Sequence, residues 1–234
     1  MAVVMGPLHD RRTLWWGFLF GVVAAVVGIA ALVAVARDGD GGTVHGSGVE
    51  VTDQRQVAPF AAVELAGANT VTVRVGDAQS VAVSGDDNLV DQVTTSVRDD
   101  LLVIDDHGTF DTEAPMNVTV VVPSLDRLSL SGMGTVTVAG VSGPELTAEL
   151  SGTGTLEVSG SVERLTATQS GLGTLDLDGL AARDATVRLE GTGDVRVQAT
   201  STLDATLTGA GSILYTGSPA VTTHNTGVGS VGAA

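Results

Sequence analysis

Between Leu128 and Val231 one short pattern returns six times, beginning with Leu130-Ser131-Gly132-Met133-Gly134-Thr135-Val136. Its glycine pairs fall at Gly132/Gly134, Gly152/Gly154, Gly171/Gly173, Gly191/Gly193, Gly209/Gly211 and Gly227/Gly229, so successive pairs stand 20, 19, 20, 18 and 18 residues apart. A repeat this short cannot hide an apolar core of its own. Self-similarity at a nearly constant period therefore marks units that bury their apolar sides against one another.

Aligned on the first glycine, the repeats show what those units are made of. Two residues before it stand Leu130, Leu150, Gln169, Leu189, Leu207 and Asn225, and two earlier stand Leu128, Ala148, Ala167, Val187, Ala205 and Thr223. After the second glycine come Val136, Leu156, Leu175, Val195, Ile213 and Val231. This is period 2 on both sides of a glycine corner, the signature of strands with alternate side chains turned inward. Each coil then lies over the next at about 4.8 Å, backbone paired to backbone. The expected fold is all-β, a parallel β-solenoid (β-helix) of 18–20-residue coils. The corner glycines are read as structural, because glycine accepts positive φ and brings no Cβ to a tight turn. Ser131, Ser151 and Ser170 before the corner, and Thr135, Thr155 and Thr174 after it, are expected as stacked hydroxyls that satisfy corner amides. The run Gly227-Val-Gly229-Ser-Val-Gly232 matches G-x-G-x-x-G in letters alone; a phosphate cradle needs a helix after the glycines, and none is expected there.

The recurring S-G-x-G corner, preceded by Asp99-Asp100-Leu101-Leu102-Val103-Ile104 and by Val118 to Pro123, resembles the bacterial head GIN domain family of autotransporter adhesin heads. The likeness runs over residues 58–234 and implies an exported β-solenoid with no established catalytic activity. It departs from the pattern at Glu190, Thr208 and Thr226, where serine is expected, and at Gln169 and Asn225, amides in inward places that must find hydrogen-bond partners.

The N-terminal part reads differently. Residues 1–12 form a short head ending in Arg11-Arg12, and residues 13–36 are an uncharged, mostly apolar run. As a helix that run reaches roughly 36 Å, enough to cross a bilayer core of about 30 Å. Trp15 and Trp16 stand beside the arginines at the interface, and the positive-inside rule places the head in the cytoplasm. The expectation is a single-pass protein of the cell membrane with a transmembrane signal-anchor helix and an extracytoplasmic C-terminal domain. Ala34-Val35-Ala36 offers the alternative of cleavage after Ala36, but the run exceeds the ~7–15 residues of a signal-peptide core. Residues 37–57, rich in glycine and polar side chains, are expected as a flexible linker, and residues 58–123 as the first, less regular coils, capping the open end.

The chain contains no cysteine and no lysine, and its net charge is −16. Beyond residue 37 there are 8 arginines against 26 acids, a balance of 8 − 26 = −18 that disfavours nucleic acid, whose phosphates need a basic surface. Residues 86–113 hold nine of the acids (Asp86, Asp87, Asp91, Asp99, Asp100, Asp105, Asp106, Asp111 and Glu113) and one arginine. They read as solvated turns, with a weak Ca²⁺ site as the alternative, since the spacing matches no calcium-binding loop. No cofactor is expected. His9, His45, His107 and His224 are scattered, and no H-E-x-x-H, G-x-S-x-G or S-x-x-K arrangement exists. Asp176 and Asp178 share a face one coil from Arg196, so a carbohydrate-active enzyme is the alternative to a binding module, with an extracytoplasmic sensor as a third class. The candidate binding face is the outward side of the strand before each corner, with Thr147, Thr166, Thr168, Thr186, Thr206 and Thr222 as an array of hydroxyls carrying little charge. An envelope glycan or protein is the expected ligand.

This topology predicts that, on intact cells, protease added from outside removes a C-terminal tag and spares an N-terminal one. A protected C-terminal tag in spheroplasts contradicts it.

Overall fold

The structure is a computed structural model that describes residues 43–234. The expected cytoplasmic head, the expected membrane span and residues 37–42 of the expected linker lie outside the described residues. The described residues belong to one compact unit. Its described part is all-β, a parallel β-solenoid of about five turns, with a single 3₁₀ turn at Val90–Gln92. Among the described residues no helix is long and apolar enough to cross a membrane.

Each regular coil is one long strand bent around the core: Met133–Leu150, Thr153–Gln169, Leu172–Leu189 and Thr192–Leu207. These pair in parallel, and the shorter strands Ala210–Gly217, Ala220–Asn225 and Val228–Ala233 continue the stack. The alternation read from the sequence is what is buried. Leu130, Leu150, Gln169, Leu189 and Leu207 stack inside the corner, and Val136, Leu156, Leu175, Val195 and Ile213 face them, all without exposure. Gly134 pairs with Gly154, Gly173, Gly193, Gly211 and Gly229 in turn, so the corner never loses register. The unequal repeat lengths are absorbed elsewhere. Every irregularity in pairing lies on the side away from the corner, between Val138/Val141, Glu157/Gly160, Leu177/Ala181 and Ala182/Asp184.

The two corner glycines serve different needs. Gly173 has φ of +145°, which a side chain rarely tolerates, and its counterparts share that conformation. Gly171 does not have positive φ; a Cβ there would collide with the backbone carbonyls of Gly152 and Ser151 in the coil beside it. Contrary to the expectation from the sequence, the serine and threonine hydroxyls do not satisfy the corner amides. Those amides bond to carbonyls of the neighbouring coil: Ser151 and Gly152 N–H donate to Leu130 O at 3.0 and 2.9 Å, and Thr153 N–H to Gly132 O at 2.9 Å. Close approach of the two chains makes this possible. The inward amide of Gln169 joins the scheme, its Nε2 donating to Gly173 O at 2.8 Å, and Asn225 Nδ2 donates likewise to Gly229 O at 3.1 Å.

At the N-terminal end chain order and spatial order part company. Ala62–Leu65 and Thr70–Val75 form a coil that lies between Leu101–Asp106 with Asn117–Val122 on one side and Arg127–Leu130 with Met133–Leu150 on the other. The corner of this coil, Ala66-Gly67-Ala68-Asn69, is the same device with Asn69 in place of the second glycine: Ser131 and Gly132 N–H donate to Leu65 O. Beyond the coil of Leu101–Asp106 and Asn117–Val122 the parallel stack stops. Val93–Arg98 pairs antiparallel with Leu101–Asp106, turning at Asp99 and Asp100 with φ of 50° and 61°, and Ser80–Asp86 pairs antiparallel with Asn117–Val122. Two positive φ values in succession suit a tight hairpin. The expected less regular coils are therefore residues 62–75 and 101–122, and antiparallel strands cover the outer one.

Part of the expected flexible linker is structured. Glu50–Arg55 pairs antiparallel with Ser80–Asp86, and Val44–His45 pairs with Phe110–Asp111. Asp86, expected as a solvated turn residue, is fully buried. Its Oδ1 accepts from Gly48 N–H at 2.7 Å, and its Oδ2 from Glu113 and Ala114 N–H at 2.9 and 3.1 Å. One carboxylate thus ties three segments together. Burial pushes its pKa up, but the N–H groups of Gly48, Ala114 and Glu113 outweigh that and hold it below the ordinary aspartate value.

Two outcomes are expected. Gly171→Ala destabilises the domain by about 1–3 kcal/mol in denaturant unfolding, while Gly143→Ala, where a Cβ meets open space, stays within about 0.5 kcal/mol. Equal effects overturn the assigned corner packing. Asp86, with its native pKa depressed, stabilises the folded state above its unfolded pKa, and that contribution is lost as pH falls through the native value. Below about pH 4, amide exchange at Gly48, Glu113 and Ala114 accelerates before the coils open, and Asp86→Asn abolishes this pH dependence.

Candidate functional site

Strand alternation puts the six candidate threonines on the outside, but the register divides them between two columns. One column reads Arg127, Thr147, Thr166, Thr186, Asp204, Thr222. The next, two residues along the chain, reads Ser129, Glu149, Thr168, Arg188, Thr206, His224. Successive members stand one coil apart, about 4.8 Å. Charges interrupt both columns, at Asp204 in the first and at Glu149 and Arg188 in the second, so the expected face of little charge is a mixed one. Thr166 and Thr222 are exposed, and Thr147, Thr168, Thr186 and Thr206 are half-buried.

A third column completes the site: Glu145, Arg164, Asp184, Thr202 and Ala220. It flanks the first column and alternates in sign. Arg164 Nη2 lies 3.2 Å from Glu145 Oε2, and Thr202 Oγ1 donates to Asp184 Oδ1 at 2.6 Å. The Thr202 hydroxyl, aided by the charges of Arg183 and Arg164, holds the Asp184 carboxyl below its ordinary pKa against the opposing effect of burial. Asp184 is therefore ionised at neutral pH. Between this column and the threonine column runs a groove of ≈ 300 Å³, lined by Arg164, Thr166, Asp184, Thr186, Asp204 and Thr222 among others. Thr147, Thr168 and Thr206 do not line it.

The groove presents a guanidinium, two carboxylates and a run of hydroxyls, which together offer donors and acceptors at coil spacing. Such a lining suits a polyhydroxylated ligand. Sequence reading found the threonines and missed Arg164, Asp184 and Asp204. The period-2 signal that placed Thr166 outward also places Arg164 outward two residues earlier, and charge is what obscured the match between coils.

The Asp176 and Asp178 pair is committed elsewhere. Arg196 Nη1 lies 3.5 Å from Asp176 Oδ2, and Thr216 Oγ1 donates to Asp178 Oδ1 at 2.7 Å. A partly exposed pair of this kind contributes little to stability. Among the described residues, no group of three or more His, Cys, Asp or Glu is placed to hold a metal ion.

A stack of parallel coils closed by glycine corners, capped at one end and bearing a polar groove along one flank, defines an elongated repeat domain of the adhesin-head kind. The chain belongs to the family described as "Putative auto-transporter adhesin, head GIN domain", which matches residues 59–219. Among solved structures it is similar to a putative adhesin from Bacteroides fragilis, at 21% identity and a TM-score of 0.66, covering 82% of this chain and 100% of that one. It is also similar to a putative lipid binding protein from Parabacteroides distasonis, at 20% identity and a TM-score of 0.51, again covering 82% of this chain and 100% of the other. At such identities the likeness shows the fold. No curated protein matches the chain.

Proposed function

We propose that this head GIN domain is a non-catalytic, adhesin-like binding module of the bacterial cell envelope, and that it takes an envelope glycan along the threonine-bearing flank. The observation that carries this reading is the groove in which Thr166, Thr186 and Thr222 stand with Arg164, Asp184 and Asp204. Hydroxyls and charges of both signs satisfy sugar hydroxyls as donors and as acceptors. No Phe, Trp or Tyr lines this groove, so a single sugar is held weakly. A polymer that engages several coils at once gains by multivalency. The parallel stack supplies that repetition without further invention, since each coil offers the same outward positions about 4.8 Å further on.

The anchor belongs to the same proposal. Residues 13–36 hold the chain in the cell membrane as a single span, with the head 1–12 in the cytoplasm and residues 58–234 presented outside. The uncharged length of the run and the arginines before it support this topology.

Replacing Thr147, Thr166 and Thr186 by Arg sets three long charged side chains one above another on the proposed contact face. Binding of the full chain to purified cell-wall preparations is expected to fall at least tenfold. Folding is expected to survive, because all three side chains lie on the outer face of the coils. Undiminished wall binding by the folded variant refutes the glycan-face assignment.

A further inference from the structure

Every corner along the regular stack closes in the same few residues, but the coil of Leu101–Asp106 and Asn117–Val122 does not. Between those strands the chain makes an excursion over residues 107–116, part of which, Phe110–Asp111, pairs with Val44–His45. The excursion stands over the corner of the adjoining coil, Ala68 to Thr70, and over Met133 at the corner beyond. Together they enclose a cavity of ≈ 440 Å³. That is the size of a small-molecule site, and it lies apart from the threonine flank.

The charge of its wall is one-sided. The Asp106 carboxylate accepts from Ala68 N–H and from Asn69 Nδ2, each at 2.5 Å. Asn69 is only 4% exposed, and its Oδ1 is buried without a hydrogen-bond partner. An orphaned buried acceptor is costly and calls for a donor. No arginine or histidine lines the cavity, and the excursion itself carries Asp111 and Glu113. The rest of the wall is uncharged: Thr70, Thr109 and Thr112 alongside the apolar side chains of Phe110, Met116 and Met133, the last of them 62% exposed. Acceptors and negative charge at the base, with an aromatic ring and two adaptable thioethers around them, suit a cation that brings donors and no acceptor on an apolar stem.

We propose that this cavity binds a primary alkylammonium group, its charge met by Asp106 and Asn69 Oδ1 and its stem by Phe110, Met116 and Met133. The site is separate from the glycan flank and does not depend on that reading. The group is either a free aliphatic amine or the side chain of a lysine on a partner peptide.

The test uses the full chain with isotope-labelled methionine methyl groups, which place reporters at Met116 and Met133 inside the site. Titration with n-butylamine is expected to shift both methyl resonances saturably, while 1-butanol, equal in stem length and uncharged, requires at least tenfold higher concentration. Met133→Lys sets a tethered ammonium at the mouth, at an exposed corner position, and is expected to remove the butylamine response at Met116 with the fold intact. A peptide with one lysine and blocked termini separates the two sources. If it shifts the same resonances and its Nε-acetylated form does not, the ligand is a lysine side chain; if butylamine alone acts, it is a free amine. Equal responses to butylamine and butanol, an absent response to both, or an undiminished response in Met133→Lys overturns the proposal.

Discussion

The whole domain depends on how closely one backbone passes another at the glycine corner. The carbonyl of Gly152 accepts from Leu172 N–H at 2.9 Å, and that of Gly171 from Thr192 N–H at 3.0 Å. No Cβ fits between chains at this distance at either glycine of the pair, and the second is fixed besides by its φ of about +145°. The corner N–H groups are thereby paired with the neighbouring coil, and the side chains that join in are the inward amides of Gln169 and Asn225. The serines and threonines beside the corner are consequently free of that duty.

A rigid corner needs slack somewhere, since the repeats differ in length. The chain takes it up on the opposite side, where pairing shifts between Leu177 and Ala181 and again between Ala182 and Asp184. Holding one edge in strict register keeps the inward stacks continuous and also fixes the outward columns. Thr147, Thr166 and Thr186 therefore stand in one line across three coils of unequal length. The proposed binding flank is a by-product of the constraint that organises the core.

The ends obey other rules. A parallel stack left open exposes a row of backbone donors and acceptors, and the N-terminal end is covered by strands that run antiparallel to it. Building that cover takes the chain out of simple succession, with the coil of residues 62–75 slipped between two later ones. Departure from repetition is also what makes the second candidate site. Where the corner is replaced by a longer excursion, a cavity forms with Asn69 and Asp106 at its base.

The sequence by itself determined the coil. Period-2 burial and the recurrence of the glycine pair name the inward residues that flank the corner from Leu128 to Ile213, though not Val141, Val162, Leu180 and Ala199 on the side away from it, because a repeat that short buries its apolar side only against its neighbour. It also placed the threonines outward, since alternation within a strand is a local matter. Tertiary structure alone decided which outward residues share a column, because that depends on pairing across coils: Asp204 falls in line with Thr186, and Arg188 with Thr168. It decided that Asp86 is a buried tie and not a turn, for its three N–H partners come from residues 48, 113 and 114. It decided as well the spatial order of the N-terminal coils and the corner at Asn69. Leu65-Ala66-Gly67-Ala68-Asn69-Thr70-Val71 does carry the corner pattern, but without its second glycine the match is weak, and a pairing between strands far apart in sequence leaves no local trace.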